Sequence, residues 1–433
     1  MGKFFGISSI IALTAVPVIL WLRIEPLALR FGGPDLFLIS LGRLAALTGI
    51  VLFSLNLMLS ARSRVSERIF GGLPRVYAVH RTVGALAFIL LLFHPLLLVS
   101  RALEISLAAA AGFLLPEGYL AKDLGIYALS LMIILLILTF FVSVRYETWK
   151  NSHRFMGLAF FLGALHAFMI PSDISRDTTL RYYILFVVSL GGASFVYRTV
   201  FGFWTDRKFE YEVIGKKTLL DNIIEFTLKA RKRAMEYRPG QFVFASFKVR
   251  GLPRQSHPFS ISSDKSGNEF KLTIKNLGDY TGRLHEVKTG DLVTIEGPFG
   301  RFGYENLRNK KQVWIGAGIG VTPFIGMIEK LAKDPDKDYK VDFYYCTRNA
   351  KEQEIIGNLV GRAEKTGGFS FIPHYSDEYG RINAGFISSR TKDAKERDFL
   401  VCGPPALMRS LRSQLNGIGI TNGRIHMEEF NLN

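Results

Sequence analysis

Hydrophobic patterning divides the chain into two regimes. Through residue 203, apolar residues run on with few interruptions; from 204 onward, short apolar stretches alternate with charged ones. A helix that crosses a bilayer needs about 17–25 predominantly apolar residues. Six runs approach that length, at 4–22, 36–59, 79–98, 124–144, 155–170 and 184–200, and the fifth has the shortest apolar core. No small-residue cleavage pattern follows Leu22, so the first run reads as a helix rather than a signal peptide.

After residue 207 the period changes. "FEYEVIGK", "IIEFTLKA", "GQFVFASFKV" and "FKLTIKNL" alternate in strand fashion between turn residues, predicting a small antiparallel β-barrel over 208–308. From 309, strand and helix patterns alternate, predicting an α/β domain over 309–433. The expected fold is a membrane all-α six-helix bundle over 1–207, then the barrel, then the α/β domain.

Charge sets the orientation. The chain has 54 Lys and Arg against 37 Asp and Glu, a net +17. Its cations gather at the ends of apolar runs and form no nucleic-acid motif, so nucleic acid is not expected as a partner. With the N-terminus inside, the inner segments hold Lys3, Arg62, Arg64, Arg68, Arg75, Arg145, Lys150, Arg154, Arg198, Arg207 and Lys208. The outer loops then hold only Arg23, Arg30, Arg101, Lys122, Arg176 and Arg181. That excess predicts a multi-pass protein of the cell (inner) membrane, with N-terminus and C-terminal half both cytoplasmic. Cys346 and Cys402 lie far apart without a CxxC pattern, so neither a disulfide framework nor a zinc site is indicated.

Four of the eight histidines lie in the apolar half, as two pairs: His80 and His94 on the third run, His153 and His166 on the fifth. Both runs begin inside and are parallel. His94 and His166 therefore lie roughly 20 Å further out than His80 and His153 at 1.5 Å per residue. One histidine from each helix meets at each of two depths. Two facing imidazoles can ligate a flat iron macrocycle from both sides, so the pattern predicts two haems stacked across the bilayer. No CxxCH occurs, so haem b is expected. A spacing of fourteen residues ends about 40° short of whole turns, nearly one face; thirteen residues end about 140° away. The fifth helix must therefore bulge, near Gly157 or Gly163, or meet its haems from different sides.

"SERIFGGLPRVYAVHR" followed by "NSHRFMGLAFFLGALHAF" resembles the transmembrane domain of the NADPH oxidase and ferric reductase superfamily, and the second half matches as well. Arg43, in "LGRLAAL", lies too deep to be free. It either snorkels to the outer interface or pairs with an outer haem propionate and borders the place where an acceptor arrives. NADPH oxidases of the family carry an Arg near that place.

Two stretches of the barrel suit a flavin. In "RQSHPFSISS", Phe259 offers an aromatic face, Ser260 a hydrogen bond, and Arg254 and His257 polar contacts, with Pro258 and Ile261 beside them. In "IKNLGDYTGRL", Lys275, Gly278, Tyr280, Thr281 and Gly282 lie where a strand gives way to a helix, whose first amides receive phosphate well. Together they resemble the ferredoxin-reductase flavin domain, which implies FAD. In "GAGIGVTPF", Gly316, Gly318 and Gly320 allow backbone to approach a pyrophosphate, with Thr322 and Pro323 at the helix start. Arg348 and Lys351, after the next strand, suit a 2′-phosphate, favouring NADPH while leaving NADH open. "VCGPPALM" places Cys402, Gly403 and Pro404 near the nicotinamide, Cys402 as a wall residue rather than a nucleophile. Phe430 is near the terminal aromatic by which family members cover the flavin.

The resemblance implies electron flow from cytosolic NADPH through FAD and two b-type haems to an outer acceptor. O2 giving superoxide is favoured by Arg43. Reduction of a ferric or cupric chelate, and an electron-carrier subunit serving a quinone or partner protein, are the other readings. No obligatory protein partner is inferred.

Overall fold

A computed structural model describes residues 2–428 except 62, 143–145, 202–207, 254, 266, 334–337 and 358. The chain divides into two compact units, Met1–Thr205 and Asp206–Asn433.

The first unit is helical. Its helices are α1 (Gly2–Ile24), α2 (Leu27–Phe31), α3 (Pro34–Ser60), α4 (Arg64–Phe70), α5 (Leu73–Leu98), α6 (Ser100–Ile105) and α7 (Leu107–Phe113). They are followed by α8 (Leu120–Phe140), α9 (Tyr146–His153), α10 (Met156–Met169), α11 (Asp173–Arg176) and α12 (Thr178–Val196). Among the described residues, five segments are long and apolar enough to cross a membrane: Phe5–Ile24, Pro34–Ser60, Leu73–Ile105, Leu120–Phe140 and Thr178–Val200. The run expected at 155–170 forms α10, which has only 14 residues. At 1.5 Å per residue that is about 21 Å, short of a hydrocarbon core about 30 Å thick.

Local chemistry fixes the helix ends. Pro34 starts α3 with Asp35 in its first turn, where a fixed φ and a negative charge both suit the N-terminus. Asp177 caps α12 by accepting from the Leu180 N–H at 2.6 Å. Asp123, buried on α8, accepts from the N–H groups of Glu117 and Gly118 at 3.0 and 2.9 Å. Those two bonds offset the cost of burying a carboxylate.

α3 is the central helix, buried without a break from Gly49 to Leu57. It packs against α5, α12 and α1, while α8 packs against α10. Small residues permit the close approach. A Cβ on Gly191 of α12 would lie 2.8 Å from the Cα of Ser54 on α3, and one on Gly49 would lie 2.8 Å from Leu91 on α5.

The second unit holds two sheets. Strands β1 (Lys208–Leu220), β2 (Ile223–Ala230), β3 (Phe242–Lys248), β4 (His257–Ser260), β5 (Glu269–Lys275) and β6 (Leu292–Phe299) form an antiparallel sheet in the order β4-β3-β6-β1-β2-β5. Ile261 bridges Leu272 of β5, so the two edges of that sheet meet. The helix expected after β5 is a single short turn, α13 (Asp279–Gly282). Strands β7 (Lys311–Ala317), β8 (Lys340–Thr347), β9 (Phe369–Tyr375), β10 (Asp398–Cys402) and β11 (Ile425–Glu428) form a parallel sheet in the order β11-β10-β7-β8-β9. Helix α14 (Thr322–Lys333) follows β7 directly. The chain runs from β7 outward to β8 and β9, then returns to place β10 on the other flank. That reversal opens a crevice at the carboxyl ends of β7 and its neighbours.

Candidate functional site: two histidine pairs and a nucleotide crevice

His80 on α5 and His153 at the end of α9 face each other with ring centres 6.5 Å apart. His94 on α5 and His166 on α10 face each other at 6.4 Å. The thirteen-residue spacing is accommodated by a break: α9 ends at His153 and α10 begins at Met156. The two rings are thus carried by separate helices rather than by one bulged helix.

Three of the rings are oriented through Nδ1. His80 Nδ1 lies 3.2 Å from the Asn56 carbonyl, His94 Nδ1 2.9 Å from that of Gly42, and His166 Nδ1 2.7 Å from that of Ala121. An Nδ1–H donated to a carbonyl leaves the Nε2 lone pair free to bind a metal. His153 Nδ1 is buried without a hydrogen-bond partner among the described residues, and Trp149 stacks on its ring at 5.5 Å. Glycine makes room for one ring: a Cβ on Gly125 would lie 2.8 Å from His166 Nδ1.

These spacings fit a shared metal. Two trans imidazoles with metal–nitrogen bonds of about 2.0–2.1 Å, plus roughly 1.1 Å from nitrogen to ring centre, lie about 6.3 Å apart. Among the described residues, no cluster of three or more His, Cys, Asp or Glu could hold a metal. Each pair therefore supplies two ligands only, which suits a macrocycle that brings its own four nitrogens.

Arg43 is neither free nor simply snorkelled. Its Nη1 lies 3.6 Å from Asp173 Oδ2, and its side chain is 41% exposed. The same oxygen accepts from Trp21 Nε1 at 2.7 Å and lies 3.6 Å from Arg30 Nη1. Arg30, among the outer cations expected from charge, is buried and stacks its guanidinium 3.6 Å from the centre of the Trp21 ring.

In the second unit, the two flavin motifs meet: the His257 ring stacks on Tyr280 at 4.2 Å. His257 Nε2 also lies 3.0 Å from Gln255 Oε1. Pro258 and Phe259 are half-buried on β4, and Ser260 is buried. The Ile261 side chain belongs to the apolar core of the sheet. The Thr281 hydroxyl accepts from the N–H groups of Leu277 and Gly278 at 2.9 and 3.1 Å, bracing its own turn. Arg254 and Phe430 lie outside the described residues.

A cavity of about 270 Å³ lies at the carboxyl ends of the parallel strands. Gly318, Arg348 and Pro404 line it, as does Lys275, which the sequence placed with the flavin. Ser376, His374 and Arg381 line it too and were missed; Arg381 sits in a loop with no motif to flag it. Lys351 is not part of the lining. The three glycines divide their roles. Gly318, at φ +53 with open space around a Cβ position, faces the cavity. Gly316 packs on Phe324, and a Cβ on Gly320 would meet the Cys402 carbonyl at 2.4 Å. At these two positions the chain packs closely on itself. Thr322 donates to the Ile319 carbonyl at 3.0 Å and is buried with Pro323. Cys402 is buried and Gly403 abuts Ala317. Burial pushes the Cys402 thiol well above its ordinary range. Cys346 lines the cavity, yet burial pushes its thiol up to about 12.

Comparison with known proteins agrees with this division. Residues 45–164 match the "Ferric reductase like transmembrane component", 208–302 an "FAD-binding domain" and 314–413 an "Oxidoreductase NAD-binding domain". A flavohemoprotein of Rhizobium meliloti is 27% identical over 45% of this chain and 53% of its own length. A superoxide-generating NADPH oxidase heavy chain of Dictyostelium discoideum is 25% identical over 41% of this chain and 39% of its own. The chain spans about half the length of the curated flavohemoproteins it matches. Among solved structures, a flavohemoglobin from Malassezia yamatoensis shares the fold at TM-score 0.50 and 20% identity, over 76% of this chain and 92% of its own. With matches to a ferric reductase like transmembrane component, an FAD-binding domain and an NAD-binding domain in that order, the chain is an oxidoreductase that fits the NADPH oxidase and ferric reductase superfamily.

Proposed function

We propose that the chain carries electrons from cytosolic NADPH to an acceptor outside the cell membrane, with FAD and two b-type haems as bound carriers and O2 as the acceptor. Its working parts are a six-span haem domain at 1–207, a barrel that holds FAD at 208–308 and a nucleotide domain at 309–433. The carrying observation is the pair of histidine facings, at 6.5 and 6.4 Å and two depths. Flavin splits a two-electron hydride into single electrons, and each haem takes one electron at a time.

The chain's own residues bind, orient and insulate. Arg348 and Arg381 face the cavity as cations for a 2′-phosphate, and Gly318 offers backbone to a pyrophosphate. His80 and His153 would hold the inner macrocycle, and His94 and His166 the outer. Arg43 would border the outer one, where an acceptor arrives. No protein base is needed, because oxygen takes one electron without a proton: NADPH + 2 O2 gives NADP+ + H+ + 2 superoxide.

Anaerobic reduction of the purified protein by NADPH, followed by its Soret and flavin bands, tests the reading. Both bands should change, and oxygen should reoxidise them faster than a ferric chelate does. Replacing His80 or His153 should remove one haem, and replacing His94 or His166 the other, by pyridine haemochrome assay. Two haems retained in every single variant would remove the ligand assignment. Faster reoxidation by the chelate would make the protein a metal reductase.

A further inference from the structure

We infer that Asp173 is a positioning residue, which holds Arg43 beside the His94–His166 pair and, with Arg30, sets the electric field there. The inference rests on the haem reading above. Three successive helices near the start of the chain converge on one oxygen of a residue distant in sequence. Asp173 Oδ2, at the start of α11, receives the Trp21 indole N–H at 2.7 Å and lies 3.6 Å from the guanidinium of Arg30 on α2 and 3.6 Å from that of Arg43 on α3. Trp21 orders the cluster from both sides: its carbonyl accepts from Arg30 Nη2 at 2.9 Å, and its ring carries the Arg30 guanidinium.

The cluster is tied to the histidines along the chain. Arg43 follows Gly42, whose carbonyl orients His94, and Asp173 comes seven residues after His166. Glu25 lies 3.9 Å from Arg30 Nη2 and 3.4 Å from Arg176 Nη1, so Arg30, Arg43 and Arg176 meet Asp173 and Glu25 with an excess of one positive charge, and two of the five are almost wholly buried: Asp173 is 4% exposed and Arg30 2%. Arg30 Nε and Nη1 and Asp173 Oδ1 have no hydrogen-bond partner among the described residues. Buried charges act over longer range than exposed ones, because less water and salt screen them. The field of Arg43 is therefore not that of a lone cation. Asp173 both fixes where the guanidinium sits and offsets part of its charge. Taking the carboxylate away enlarges the positive excess and makes an added electron nearby more stable; taking Arg30 away does the reverse.

The test is redox titration of the full-length, haem-loaded protein, with the two haems resolved spectroscopically. Asp173→Asn should raise the midpoint of the haem held by His94 and His166 and leave the other unchanged. A unit charge on the order of 10 Å away, at an effective dielectric of about 20, changes an equilibrium about tenfold, or about 59 mV for one electron. Asp173→Glu, which keeps the charge, should restore the original midpoint; a purely packing role would not distinguish Asn from Glu in this way. Asp173→Asn leaves the buried Arg30 with only the more distant Glu25 as counter-charge, which by itself can prevent folding, so Arg30→Gln is the second variant, and it should lower the same midpoint. An unchanged midpoint in a variant that keeps both haems, or an equal shift of both haems, overturns the inference. Wild-type protein that binds no haem would instead overturn the reading beneath it.

Discussion

Arg348 and Arg381 face one cavity from two loops, and a phosphate between them would be held by charge-assisted hydrogen bonds. Such a contact contributes about 1.5–3 kcal/mol, or roughly ten- to a hundredfold in affinity. Replacing either arginine by alanine should raise the Michaelis constant for NADPH by that factor while leaving the constant for NADH nearly unchanged. Equal losses with both nucleotides, in steady-state assays, would place the arginines on the pyrophosphate instead. Arg348 was legible in the sequence because it follows a strand pattern directly. Arg381 was not, because only the fold brings the loop after β9 to the ends of β7 and β8. Asp173 and Arg30 were hidden for the same reason: a carboxylate 130 residues from the arginine it holds has no local signature. The histidines were legible because spacing on one helix sets depth, and depth decides which rings can meet.

At the level of elements, α3 and α5 were legible in the hydropathy pattern, since a long apolar run has few alternatives. The stretch that carries His153 and His166 was not, because it reads as one helix. A hydropathy pattern cannot show a chain break, and the break between α9 and α10 follows His153 directly, at Arg154 and Phe155. It also could not show which glycines are contact points. A Cβ on Gly191 would press on the Ser54 backbone at 2.8 Å, and backbone cannot turn aside as a side chain can. Gly191→Ala should therefore push α12 off α3 and destabilise the unit by about 1–3 kcal/mol, the usual cost of overpacking. α3 also carries the carbonyls of Gly42 and Asn56 that orient His94 and His80. The variant should accordingly lose its Soret band at a lower temperature than wild type. Gly163→Ala is the control. Its nearest neighbour is the Ala128 Cβ at 3.8 Å, and alanine is favoured over glycine inside a helix by about 1 kcal/mol. A thermal scan in which the two variants behave alike would remove the packing explanation.

For the molecule as a whole, sidedness decides what the electron path can do. If the apolar runs make six crossings, the cations flanking them lie mostly on the side of the N-terminus, and the even number returns the C-terminal half to that side. The five long apolar segments give an even count only if α10, with its 14 residues, completes a sixth passage. A helix about 21 Å long can do so where flanking residues or local thinning of the bilayer take up the mismatch. If it does, His166, on α10, lies near the outer surface, and electrons given on one side emerge on the other. Membrane vesicles of defined orientation read this directly. Inverted vesicles should oxidise added NADPH, and right-side-out vesicles should not, because NADPH does not cross the bilayer. Cytochrome c, equally impermeant, should be reduced by superoxide only when trapped inside the inverted vesicles. Reduction of cytochrome c added outside those same vesicles, on the side of the NADPH, would mean that the electrons never cross. In that case α10 would not complete a passage, and the histidine pairs would need a role other than transmembrane conduction.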